Sequence, residues 1–134
     1  LEGEGTSLSM AQLQRIHRAK TGALIRVALR TGAMAAKANA EELDALTVYG
    51  ENLGLAFQIT DDILDVVGTE LSLGKPIGSD VSSNKTTYPA MVGLEESRRL
   101  AQEAVAAAVA PLALFGTKAD VFCRLAEHLL TRNS

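Results

Sequence analysis

Three carboxylates lie close together inside an otherwise apolar run, Phe57-Gln58-Ile59-Thr60-Asp61-Asp62-Ile63-Leu64-Asp65-Val66-Val67. On a helix, Gln58, Asp61 and Asp65 share one face, and Asp62 lies about 100° around from Asp61. No Lys or Arg stands three or four residues from any of these aspartates, so no local ion pair offsets their repulsion. Carboxylates held so close on a half-apolar surface draw in an outside cation or shift their pKa. Mg²⁺ fits best: it is a hard ion that takes one or two carboxylates and fills its remaining positions with phosphate oxygens. The plain alternative is a solvated acidic helix end. The apolar residues flanking the block on both sides count against it.

Two other places supply the positive charge that a phosphate would need. Lys20 stands four residues after Ile16 and four before Leu24, inside the apolar stripe of its own helix, with Thr21 on the adjoining line. A lysine aimed at a core snorkels to an edge or meets an anion in a cleft, and the spacing admits both. The stretch from Gly68 to Lys85 is the one long loop expected. Its glycines can expose backbone N–H groups, and Lys75 and Lys85 add charge, which suits a phosphate. A solvated connector is the competing reading, and the Walker pattern is absent. His17 and His128 receive no role, since neither has a second ligand at metal spacing beyond Glu127 beside His128. Cys123 is the sole cysteine, which excludes an internal disulfide, and its apolar neighbours predict a buried thiol.

The elements that must position these groups are helices. The 134 residues are 47% apolar and 22% charged, rich in alanine and poor in aromatics, which predicts a single all-α domain over residues 1–134. A net charge of −3 leaves no general basic surface for nucleic acid. The longest uncharged run, Ala104 to Thr117, is too short and too alanine-rich to span a bilayer, so no stable membrane insertion is expected. A cytoplasmic location is the default where no signal peptide is visible. The chain opens on Leu1 within a glycine-containing stretch, a hint that something precedes it.

Ser9-Met10-Ala11-Gln12 fits a capping box opening a first helix. Its core stripe is expected at Leu13, Ile16, Ala23, Leu24 and Val27, with Arg15, Arg18, Arg26 and Arg30 opposite and a break at Thr31-Gly32. Asn39 caps a second helix over about residues 40–67, buried along Leu46, Tyr49, Leu53, Phe57, Thr60, Leu64 and Val67. Gly50 and Gly54 suggest a close helix approach. Thr86 or Thr87 caps a short helix with Pro89 in its first turn. A fourth helix covers about residues 94–110, until Pro111 ends or kinks it. Thr117-Lys118-Ala119-Asp120 starts the last helix, with Val121, Phe122, Leu125, Leu129 and Leu130 inward.

Three blocks in this order carry a resemblance: Lys20-Thr21-Gly22-Ala23-Leu24, then Phe57-Gln58 ahead of Asp61-Asp62-Ile63-Leu64-Asp65, then Gly74-Lys75-Pro76-Ile77-Gly78-Ser79-Asp80 followed by Lys85-Thr86-Thr87-Tyr88-Pro89. Together they resemble the C-terminal half of the trans-prenyl diphosphate synthases, most nearly the bacterial farnesyl diphosphate synthase type. The resemblance implies the C-terminal part of an isoprenoid-synthase helical bundle. It implies condensation of an allylic diphosphate with isopentenyl diphosphate, assisted by Mg²⁺, in a protein that works as a homodimer. It further implies that Asp61 and Asp65 bind the metal, with Asp62 holding the charge and surroundings of the same site. Lys20 and Lys75 would contact the diphosphate, Lys85 would add charge, and Thr21 and Gln58 would turn oxygens toward the carbocation.

One departure stands out. The family carries an earlier aspartate-rich motif and basic residues for isopentenyl diphosphate, and this chain has only one Asp-Asp pair. The chain is therefore expected to be a fragment lacking the N-terminal half, inactive alone and with an incomplete core. The competing expectation is a non-catalytic helical subunit derived from the same fold.

Overall fold

The computed structural model describes residues 10–73 and 87–132. The described residues form α1 (Met10–Ala35), α2 (Ala40–Leu73), α3 (Tyr88–Val92), α4 (Leu94–Val109), a 3₁₀ segment (Ala110–Ala119) and α5 (Asp120–Thr131). None of them is in a strand, so the fold is all-α as the composition predicts. α2 is the central element and packs against every other one.

α1 runs through Thr31-Gly32, where a break was expected, and ends at Ala35. A glycine in a helix interior costs only about 1 kcal/mol, and the alanines and methionine after it are good helix formers. The stop comes from Lys37 at φ 60°, with the Lys37 and Ala38 amides donating to the carbonyls of Met34 and Ala33. Asn39 then caps α2 reciprocally: its Oδ1 accepts from the Glu42 amide at 2.8 Å, and its own amide donates to Glu42 at 2.9 Å.

α1 and α2 form a hairpin that meets at Gly50 and Gly54. A methyl at Gly50 would stand 2.7 Å from Leu29 Cδ1, whereas one at Gly54 would make ordinary contacts at 3.5 Å or more. An added methyl at Gly50 would oblige the end of the Leu29 side chain to turn aside, whereas one at Gly54 would fit as the helices stand. Leu29 and Ile25 face α2, with Ala33 buried beyond them. The expected stripe turns away from α2: Leu24 is 68% exposed, Val27 59% and Ile16 49%. α1 carries apolar residues on two sides, and the hairpin uses the other one.

The core of α2 includes the expected line and extends to one side of it. Tyr49 and Thr60 are buried and Leu46, Leu53 and Val67 pack against the core as expected, while Ala45, Ala56, Ile59, Ile63 and Val66 are buried too and Phe57 is partly exposed. Alanines 101, 104 and 108 of α4 let α2 approach closely, and burial of each large apolar side chain such as Ile59 or Ile63 contributes about 1.5–3 kcal/mol. Tyr49 donates its hydroxyl to the Phe122 carbonyl at 2.9 Å. Burial pushes its phenol up to about 12, with Cys123 adding to the rise.

α3 is short and defined at both ends. Thr87 Oγ1 accepts from the Ala90 amide at 3.2 Å, and Pro89 occupies the first turn. Gly93, at φ 91°, closes α3 and opens α4 in a conformation that side chains resist. α4 ends at Val109, just before Pro111, as expected, and the chain continues as 3₁₀ turns with a kink at Gly116. α5 begins at Asp120 with no side-chain cap, so Thr117 is not its start. Its inward face is Ala126 and Leu129 with half-buried Cys123 and Leu130, while Val121 and Leu125 lie outward. Leu129 and Leu130 face the core as expected, whereas Val121 and Leu125 do not, and Ala126 takes the buried place instead.

By length and composition the stretch Leu94–Thr131 is apolar enough to cross a membrane. It is not one helix, however. α4 alone has 16 residues, about 24 Å against the roughly 30 Å of a bilayer core.

Candidate functional site

α2 outlasts its expected end at residue 67 and reaches Leu73, so the aspartate block lies within a continuous helix rather than at a fraying terminus. Beside it opens a cavity of about 650 Å³. Its polar lining is Gln58, Asp61, Asp62 and Asp65 from α2, Thr21 from α1 and Thr87 from the cap of α3; Phe57 and Leu64 give it apolar wall. The α1–α2 hairpin brings Thr21 to this place. Its close contact at Gly50 and ordinary contact at Gly54 and Gly22 set how near the two helices run.

The three aspartates have different surroundings. Asp62 is buried, accepting from Gln58 Nε2 at 3.0 Å through one oxygen and from the Tyr88 amide at 3.1 Å through the other. It ties α2 to α3 and fixes the Gln58 amide. With Nε2 committed to Asp62, the end of Gln58 left for the cavity is its carbonyl oxygen. Asp61 and Asp65 are exposed, four residues apart on one face.

Among the described residues no three His, Cys, Asp or Glu side chains form a cluster that could hold a metal ion. Asp61 and Asp65 offer carboxylate oxygens, the ligand type that a hard divalent cation such as Mg²⁺ takes.

Of the residues singled out from sequence, Thr21, Gln58, Asp61, Asp62 and Asp65 come together at this cavity. Lys20 is exposed and does not line it, though it adjoins Thr21 in the chain. Lys75 and Lys85 lie outside the described residues. Sequence reasoning missed Thr87 as a lining residue and the Tyr88 amide as the partner of Asp62. The signal was present in Thr87-Tyr88-Pro89, a helix start whose first amides need acceptors, but nothing in the sequence says that one acceptor comes from 26 residues earlier.

The polyprenyl synthetase family model matches residues 1–111. The farnesyl diphosphate synthase of Escherichia coli (strain K12) is 43% identical over 137 residues, covering 99% of this chain and 46% of that protein. The farnesyl diphosphate synthase of Geobacillus stearothermophilus is 48% identical over 94 residues, covering 70% of this chain and 32% of that protein. Among solved structures, an FPP/GFPP synthase from Zymomonas mobilis superposes with a TM-score of 0.68 at 31% identity, covering 96% of this chain and 40% of that one. The chain thus spans less than half the length of the relatives it matches.

Proposed function

The chain belongs to the polyprenyl synthetase family, and from that premise we propose that its aspartate cavity is one half-site of a prenyltransferase of the farnesyl diphosphate synthase type. The substrates would be an allylic diphosphate and isopentenyl diphosphate. The observation that carries this reading is the meeting of Thr21, Gln58, Asp61 and Asp65 at one cavity, with two exposed carboxylates on a single helix face.

In the reaction the allylic C–O bond breaks and diphosphate leaves with the electron pair. The double bond of isopentenyl diphosphate then attacks the allylic cation, and loss of a proton restores a double bond. Asp61 and Asp65 would hold Mg²⁺, which when bound neutralises charge building on the departing diphosphate. Asp62, engaged by Gln58 and Tyr88, positions the site rather than offering a vacant carboxylate. Thr21 and the Gln58 oxygen present dipoles to the developing positive charge. Phe57 and Leu64 line the cavity with apolar surface that keeps water from trapping the cation. Lys20, next to Thr21 in the chain, would contact the diphosphate, and Lys75 and Lys85 would add charge for it.

The first aspartate-rich motif and the isopentenyl diphosphate pocket would lie in a segment additional to these 134 residues, a reading supported by the chain's covering 46% of the Escherichia coli relative. That segment would cover the outward stripe of α1, and the isolated chain would be inactive. A cytoplasmic homodimer completes the proposal. The same exposed stripe, Ile16, Leu24 and Val27, also favours a second reading in which this is a non-catalytic subunit seated on a separate catalytic chain. Assaying condensation by the full-length protein and by the isolated chain, with and without a catalytic partner, decides. Turnover by the full-length protein alone supports the synthase. Turnover only when a separate partner is added supports the subunit.

A further inference from the structure

We propose that Arg132 is a positioning residue that clamps the α2 turn bearing Gln58 and Asp61, a role that rests on the prenyltransferase reading of the cavity. Arg132 follows the end of α5, and its side chain crosses to α2. Nη2 donates to Thr60 Oγ1 at 2.8 Å, and the guanidinium carbon stands 5.0 Å from the centre of the Phe57 ring. Thr60 is fully buried and passes the bond on, donating its own hydroxyl to the Phe57 carbonyl at 3.1 Å. A hydroxyl can accept and donate at once, so the two bonds are compatible. In an α-helix the Phe57 carbonyl is also the acceptor for the Asp61 amide. Arg132 therefore grips both the side chain and, through Thr60, the backbone of one turn. Gln58 and Asp61 project from that turn into the cavity.

The surroundings argue for a clamp rather than an ion pair. Among the described residues no carboxylate lies within ion-pair distance of Arg132, and its Nε is buried without a hydrogen-bond partner. Its described anchors are the Phe57 face and the Thr60 hydroxyl. A flat guanidinium can stack on a ring and donate in its own plane, whereas a lysine ammonium cannot do both. Misplacing a group by as little as 1 Å can cost turnover far more than it costs binding.

The test uses the full-length protein with Arg132→Gln, Arg132→Lys, Thr60→Val and the Arg132→Gln/Thr60→Val pair. Steady-state prenyl transfer and the thermal unfolding midpoint are measured for each. The clamp predicts that Arg132→Gln lowers kcat about tenfold while KM for the allylic diphosphate moves less than about threefold. It predicts that Arg132→Lys does not restore kcat, and that the double variant is no worse than Arg132→Gln alone. Unchanged kcat with a lowered midpoint, or losses that multiply in the double variant, would overturn it. Absence of prenyl transfer in the parent protein would sink the prenyltransferase reading instead. The clamp would then be decided by the midpoints alone: non-additive shifts support it and additive shifts overturn it.

Discussion

Asp62 is buried with its two oxygens engaged by Gln58 and the Tyr88 amide, whereas Asp61, its neighbour in sequence, is exposed on the face it shares with Asp65. One helical turn thus supplies both the anchor of a cavity and the groups offered to whatever enters it. A buried carboxylate with both oxygens engaged holds structure, and an exposed one such as Asp61 is placed to take a cation. The difference between these two sides of the turn can be tested by substitution, since each should fail in its own way.

The largest effect is expected at Asp61. Asp61→Ala in the full-length protein should reduce kcat by about 10²-fold or more, the scale of removing a group that stabilises departing charge, with the unfolding midpoint unchanged. Activity within a few-fold of the parent would remove Asp61 from the chemistry. Asp62→Ala should differ in that it costs stability as well as turnover. It leaves the Tyr88 amide and the Gln58 amino group without their acceptor, so urea unfolding should report a loss of about 1–3 kcal/mol. If the two variants behaved alike in both measurements, the division between anchor and ligand would be wrong.

Smaller effects probe the hairpin that carries Thr21 to the cavity. Gly54→Ala should stabilise by up to about 1 kcal/mol, because its methyl meets only ordinary contacts and alanine is the better helix former. Gly50→Ala should gain less, since its methyl would stand 2.7 Å from Leu29 Cδ1 and that side chain must turn aside. Equal stabilities for the two variants in urea would show that Leu29 yields at no cost.

The smallest effect lies at Tyr49, far from the aspartates. Its phenol ionises near 10 in an unfolded chain and only near about 12 in the fold, because burial disfavours the charge. The folded state then holds a proton that the unfolded state has lost, so the Tyr49 contribution is whole below pH 10 and declines as pH rises from about 10 to about 12. Tyr49→Phe should flatten that part of the alkaline stability profile.

These regions also differ in how plainly they could be read beforehand. The shared face of Gln58, Asp61 and Asp65 follows from helical spacing alone, and the caps at Asn39 and Thr87 follow from residue type. Which way α1 faces does not follow. Ile25 and Leu29 lie on one side, Ile16, Leu24 and Val27 on the other, and periodicity marks both without saying which meets α2. The outward side of α5 misled for the same reason: Val121 and Leu125 are the larger apolar groups, yet the core takes Ala126. Gly32 was read as a breaker because a local penalty of about 1 kcal/mol looks decisive until tertiary packing and strong neighbours outweigh it. The separate fate of Asp62 depends on a partner from α3, a long-range fact that local spacing does not contain.

The central claim is that the exposed aspartates join a divalent cation to a diphosphate. Calorimetric titration of the full-length protein with a non-hydrolysable allylic diphosphate analogue, with and without Mg²⁺, tests it most directly. The account predicts that Mg²⁺ raises analogue affinity at least about tenfold, and that Asp61→Ala abolishes the gain while leaving metal-free binding intact. Equal affinity with and without Mg²⁺ in the parent protein would contradict it.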